Sequence, residues 1–236
     1  MRPPIPPADP AADLTSAGVW PRTVAWQVDA LIIGLPVLLL TNLSGGKRWT
    51  ALAQAWQTLG TRTGEAMLHA LESGHDPLAM MASLIAPVRP VLGALIHALH
   101  QALWPPLLLF ALIAALYWPL QESSNARATL GKRLIGLQVG DAAGGRLGLA
   151  QAGKRHLAGI ASWATLNFGH AMAALPGHAA LHDRLADTRV FWRRDAARRV
   201  PFWGWLLIVT AVLLPLVFAW LAASNLSRAM EAAIGV

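Results

Sequence analysis

The chain has 236 residues, of which 55% are hydrophobic and only 13% charged, and its formal net charge is +7. A soluble domain carries roughly 25% charged residues, so these charges are too few to cover a water-facing surface, and the apolar residues gather into blocks instead of spreading at amphipathic spacing. A soluble globular fold is excluded, and the absence of cysteine excludes disulfides and thiolate metal sites.

Residues 1–18 (MRPPIPPADPAADLTSAG) are rich in Pro and Ala and have no apolar core, so they are read as a disordered lead and not as a signal peptide. Residues 24–43 form the first block of span length, since a bilayer core takes ~20 residues of helix; Asp29 is its single charge. The block has no small-residue cleavage site, so it is expected to stay as a span. Between 44 and 101 the pattern gives helical pieces at 50–59 and 65–73, then an apolar stretch at 78–100 interrupted by Pro87, Arg89 and Pro90. This is read as an external insertion with amphipathic helices lying on the outer leaflet. Residues 102–120 and 202–223 carry no charge and are edged by Trp, as interfacial ends of spans are. Residues 157–181 have span length but include Asn167, Gly169, His170 and the pair Pro176-Gly177. The fold class expected is therefore an all-α membrane protein with three or four transmembrane helices.

Charge placement bears on that fourth block. Six basic residues (Arg127, Lys132, Arg133, Arg146, Lys154, Arg155) precede it and six more (Arg184, Arg189, Arg193, Arg194, Arg198, Arg199) follow it, whereas the longer stretch 44–101 holds four. The positive-inside rule puts both dense loops in the cytoplasm. A crossing at 157–181 would separate them, so the block is expected to enter and leave on one side, as a re-entrant or interfacial helix pair broken near Asn167 to Gly169. Alternation around the Gly-rich centre of 136–149 (GLQVGDAAGGRLGL) predicts a small cytoplasmic β-hairpin, and TRVFW at 188–192 is either a third strand or a lead into the last helix. Anionic lipid headgroups are the natural partners of such loops; nucleic acid is not expected, because no groove-reading motif accompanies the charge.

Arg22 stands at the mouth of the first span and Asp29 lies seven residues on, two helical turns away on the same face, with Trp26 between them. A carboxylate at that depth costs roughly 2.5–3.5 kcal/mol if central, so it faces a partner or a wet cavity. It is either a functional group or a structural one paired with a basic residue of a cytoplasmic loop. Together with Arg22 to Asp29 in WPRTVAWQVDALIIG, the stretches TLGKRLIGLQVGDAAGG at 129–145 and LHDRLADTRV at 181–190 resemble the bacterial RDD family, named for an arginine and two aspartates. The resemblance runs over most of 20–192, with 44–101 as an insertion and 193–236 outside it as a basic linker and C-terminal transmembrane helix. It implies a multi-pass protein of the bacterial inner (plasma) membrane, with Arg22, Asp29 and Asp183 as its namesake residues. Asp187 falls where relatives often have a small residue. Lys132, Arg155 and His182 are supporting candidates. The family's molecular role is mostly unassigned; transport is suspected, and sodium/proton antiport has been proposed for some members.

Other motifs carry less. Thr129-Leu130-Gly131-Lys132-Arg133 fails as a phosphate loop, since position 126 is Ala and Lys132 is followed by Arg; it is read as a helix start or hairpin entry with basic residues turned toward lipid phosphate. His97 with His100, and His178 with His182, lack a third ligand at a matching interval and are read as packed or interfacial histidines. No metal, cofactor or catalytic set is expected, and the chain is not read as an enzyme. Two functions follow: transport of a small cation or proton, for which so few spans would need a homo-oligomer, or a non-catalytic membrane adaptor or assembly factor whose Arg/Asp set is a structural clasp.

Overall fold

The computed structural model describes residues 14–43, 46–72 and 76–235. Three helices are long and apolar enough to cross a membrane: α1 (Val19–Leu43), α3 (Pro77–Ser123) and α8 (Phe202–Ile234). At ~1.5 Å per residue, even the shortest exceeds the ~30 Å hydrocarbon core. Between them come α2 (Lys47–Glu72), α4 (Leu130–Ile135), β1 (Leu137–Asp141), α5 (Leu149–Ala164), α6 (Phe168–Ala171), a 3-10 turn at Met172–Ala174, α7 (Leu181–Leu185) and β2 (Thr188–Trp192). The protein is thus an all-α membrane protein with one small antiparallel sheet. Its residues form two compact units, one from Met1–Leu35 with Phe110–Thr210, the other from Pro36–Leu109 with Ala211–Val236.

In the first unit, β1 and β2 pair in the register Leu137↔Trp192 to Asp141↔Thr188. The expected hairpin within 136–149 does not form: the chain turns at 142–144 and runs into α5, and TRVFW supplies the second strand instead. Alternation explains the choice, because Val190 and Trp192 bring two apolar side chains to the face that buries Leu137 and Val139, whereas Gly144, Gly145 and Gly148 have none to offer. Residues 15–17 run along the other edge of β2, with Ala17 N–H donating to the Val190 carbonyl (2.9 Å) and Trp192 N–H to that of Thr15 (2.9 Å). The end of the expected lead is therefore fixed; residues 1–13 lie outside the described residues. The core of this unit joins Val24 and Ala25 of α1 to Ile135, Leu137, Val139 and Val190.

Among the described residues, the block at 157–181 holds no helix long and apolar enough to cross a membrane. Helix α5 has 16 residues, ~24 Å of rise, and stops before Leu166 and Asn167, which take positive φ angles of 51° and 68°. Its buried face carries Ala152, Arg155 and Ser162, while Leu157 and Ile160 across the helix, and Trp163 at its end, are more than half exposed. Trp163 packs on Trp26 of α1 at 5.7 Å, and both rings are exposed. The apolar face of α5 therefore continues the lipid-facing surface of α1, as an interfacial helix would. Both basic loops lie between α3 and α8, with no helix of spanning length between them among the described residues.

In the second unit, the pieces expected at 50–59 and 65–73 are one helix, α2, and the stretch 78–100 continues unbroken into the span as α3. Proline's φ near −65° is helical, so Pro87 and Pro90 cost hydrogen bonds without forcing a stop. Gly60 and Gly64 do not break α2; a Cβ on Gly60 would sit 2.7 Å from that of Ala229, and one on Gly64 2.6 Å from the Met230 carbonyl, so they let α2 and the end of α8 approach backbone to backbone.

Candidate functional site

Asp29 is fully buried in α1, in the first unit. Its Oδ1 accepts from the Tyr117 hydroxyl (2.7 Å) and the Gly131 N–H (2.7 Å), and its Oδ2 from the Thr129 hydroxyl (2.6 Å). The first turn of a helix presents N–H groups that lack intrahelical partners. At the start of α4 three of these are met in turn: Leu130 N–H by the Tyr117 oxygen (3.2 Å), Gly131 N–H by Asp29, and Lys132 N–H by the Thr129 hydroxyl (3.3 Å). Thr129 is the N-cap. A small residue is needed at 131, since a Cβ there would collide with the Ala25 carbonyl and lie 3.0 Å from the Asp29 carboxyl carbon. The carboxylate in the first span is thus compensated by three neutral donors, not by a basic loop residue as one sequence reading had it. Trp26, expected on the same face, is 41% exposed and turned toward Trp163.

Arg22 reaches a different partner. Its Nη1 pairs with Asp183 Oδ2, its Nη2 donates to the His178 carbonyl (2.6 Å) and its Nε to that of Ala17 (2.9 Å). Asp183, fully buried in α7, also receives Arg155 Nη1 on Oδ1 and the Ala180 N–H on Oδ2 (2.8 Å), so it caps its own helix while bridging two guanidiniums. Arg155 extends the network: Nη1 donates to the Thr188 hydroxyl (2.7 Å), and Nε pairs with Glu122 Oε2 (3.1 Å) near the end of α3. Glu122 Oε1 takes Lys132 Nζ (2.7 Å). A continuous ladder of buried or nearly buried charges therefore runs Arg22, Asp183, Arg155, Glu122, Lys132. Lys132 is 8% exposed and turned to Glu122, which corrects the reading of it as a lipid-phosphate contact.

Burial alone would push the Asp183 carboxyl up, but Arg155 and Arg22 overcome it and hold the group well below the usual carboxylate range. Burial likewise works against the Arg155 cation, and Asp183 and Glu122 more than restore it. His182 is the opposite case: burial first, then Arg155, push it down to about 2, so it is neutral. Its Nε2 lies 3.3 Å from Arg155 Nη2 and its Nδ1 3.1 Å from the Ser162 hydroxyl. A guanidinium can only donate, so Nε2 accepts and the proton sits on Nδ1, directed at Ser162. That tautomer leaves His182 no lone pair with which to activate Ser162. His178, its expected pair, contacts the Ala173 carbonyl instead (3.1 Å). No group of three or more His, Cys, Asp or Glu side chains placed to hold a metal ion occurs among the described residues.

The structure thus brings Arg22, Asp183, Arg155, Lys132 and His182 into one network and places Asp29 in a second, adjoining set. Sequence reasoning missed Glu122, Tyr117 and Thr129. Glu122 had a signal, as the single acidic residue between Asp76 and Asp141, just past an uncharged block.

Against known proteins, residues 77–187 match the model described as RDD family. The match encloses Asp183, Glu122 and Arg155, begins beyond Arg22 and Asp29, and takes in part of the segment read as an insertion. The chain is also 32% identical over 177 residues to the uncharacterized protein YxaI of Bacillus subtilis (strain 168), an alignment covering 75% of this chain and 97% of that protein. No solved structure matches the chain. An apolar multi-span chain with a partly buried arginine and two buried aspartates, matched by that model and by a relative over most of both lengths, belongs to the RDD family.

Proposed function

We propose that the arginine and aspartates form a structural clasp, and that the chain is a non-catalytic membrane adaptor or assembly factor that holds a basic extramembrane segment against its spans. The observation that carries this reading is saturation. Asp29 accepts three hydrogen bonds and Asp183 bridges two arginines, which leaves neither carboxylate poised to take and release an ion. Through Asp29 the first span holds the start of α4; through Arg22 it holds α7. The basic loops then face the cytoplasm, as the positive-inside rule requires of a bacterial inner-membrane protein.

One feature favours a second reading, transport of a proton or small cation by a homo-oligomer. Charged groups paired with one another close to the spans, as Glu122 and Asp183 are with Lys132, Arg155 and Arg22, mark ion pathways in pumps and transporters. A single comparison separates the two. Proton-coupled sodium flux is measured in vesicles holding the intact protein or Asp29→Asn at matched abundance, together with the resistance of each to unfolding. The clasp predicts no flux above empty vesicles from the intact protein and a less stable variant. Flux that disappears with Asp29→Asn would overturn the clasp in favour of transport.

A further inference from the structure

Leu137 and Val139 face the core, so Gln138 between them faces away from it, and on that side of the sheet lies a cavity of about 430 Å3. The volume is within the roughly 300–1,000 Å3 of small-ligand sites. Its wall includes Arg127, Arg193, Arg194 and Asp195, three cations against one anion. Asp195 is committed to Arg193, which grips it through Nε (3.1 Å) and Nη2 (2.8 Å). Arg127 is held by a neutral group, the Gly144 carbonyl, on its Nη1 (2.8 Å), so its charge is not cancelled there. Arg127 thus gives the lining a positive charge in the planar, forked form that suits phosphate oxygens.

The cavity also has a defined place along the chain. Leu14 on its wall is five residues ahead of Val19, where α1 begins, and Asp195 is seven ahead of Phe202, where α8 begins. An extended chain covers at most about 3.5 Å per residue, so the wall lies within about 18 Å of the first turn of α1. At that level Trp20 and Trp205, each about half exposed, pack at 5.6 Å, the aromatic signature of a membrane interface. A cationic cavity beside the headgroup layer meets one abundant anion, the phosphodiester of an acidic lipid.

We infer that this cavity binds the phosphate headgroup of an anionic phospholipid. The assignment stands whether the chain is an adaptor or a transporter. It is tested on the full-length protein in uncharged detergent, by native mass spectrometry with short-chain phosphatidylglycerol, short-chain phosphatidylcholine or inorganic phosphate. Phosphatidylglycerol is expected to bind at one saturable site, at least tenfold more tightly than either alternative. A guanidinium in direct contact with the headgroup phosphate contributes about a fivefold affinity factor or more; Arg194→Gln therefore weakens phosphatidylglycerol about fivefold, and Arg127→Gln with Arg194→Gln about 25-fold. Arg194→Gln alone reads the site even if loss of Arg127 loosens the Gly144 turn. The pair Arg198→Gln and Arg199→Gln removes the same charge from exposed residues outside the lining, with less than a twofold effect expected. Equal binding of the two lipids, phosphate binding as tightly as the lipid, or equal losses from the cavity and control pairs would each overturn the assignment.

Discussion

The charge ladder makes an asymmetric prediction about an inner member, Glu122, and a terminal one, Lys132. Arg22, Asp183, Arg155, Glu122 and Lys132 are three cations and two anions, and Glu122 is 3% exposed between Lys132 and Arg155. Glu122→Gln leaves two cations facing each other with only a neutral amide between them. Removing one partner of a buried pair costs about 3–5 kcal/mol, because the remaining charge is stranded. Lys132→Met takes away a terminal cation instead, and Glu122 keeps Arg155. The four remaining charges then balance, so the cost is that of one charged hydrogen bond, about 1.5–3 kcal/mol, offset in part by the apolar replacement. Glu122→Gln should therefore be the more harmful change by at least about 1 kcal/mol, and the double variant less harmful than the two single losses added together. Denaturant titration of the solubilised protein, followed by tryptophan fluorescence, measures all three. Equal losses from the two single changes, or strict additivity in the double, would show that the groups do not act as one network.

Three further outcomes are expected. His182 has a folded pKa of about 2 against ~6.5 unfolded, so below pH 6.5 the unfolded chain takes up a proton that the folded one does not; stability falls with falling pH by about 1 kcal/mol per unit, and His182→Gln should flatten that slope in unfolding titrations from pH 7 to pH 5. Gly131→Ala sets a methyl against the Ala25 carbonyl and should lower stability and yield far more than Gly153→Ala, where a Cβ meets open space; equal yields would refute the close approach of α4 to α1. Cysteines placed at the exposed positions Ala143 and Ala197 should label from the same side of intact vesicles, since α5 does not cross; labelling from opposite sides would require a fourth span.

Much of the architecture was legible because it follows from composition over long windows. The uncharged runs around Leu107 and Leu213 identify spans regardless of their neighbours, and the conflict between two basic loops around 157–181 indicated that this block turns back. The hairpin was misread because Val139 and Gly140 carry a local strand signal; TRVFW was legible as a candidate strand, but that it replaces the hairpin's second strand depends on packing against α1. The break expected between residues 59 and 65 failed for a related reason. Gly60 and Gly64 read as weak helix formers in isolation, and their role as a contact surface depends on the end of α8.

The polar site shows the same limit in sharper form. Spacing put Arg22 and Asp29 on one face of α1, and the resemblance grouped them with Asp183 in one clasp. They do not share a partner, because seven residues along a helix is about 10 Å, which separates the levels at which the incoming chain docks. At the lower number the guanidinium meets the carbonyls of Ala17 and His178 and the carboxylate of Asp183; at the higher, Asp29 meets a helix start whose N–H groups need an acceptor. A bare aspartate in a span would be costly, but one that caps α4 supplies what that helix lacks and receives its own compensation without a counter-ion. The two namesake aspartates therefore do different physical work: Asp183 is held by charge and Asp29 by neutral donors. Substituting each by Asn should separate them, since an amide keeps one acceptor oxygen for Gly131 but cannot pair with two arginines, so Asp183→Asn is expected to destabilise the fold more than Asp29→Asn.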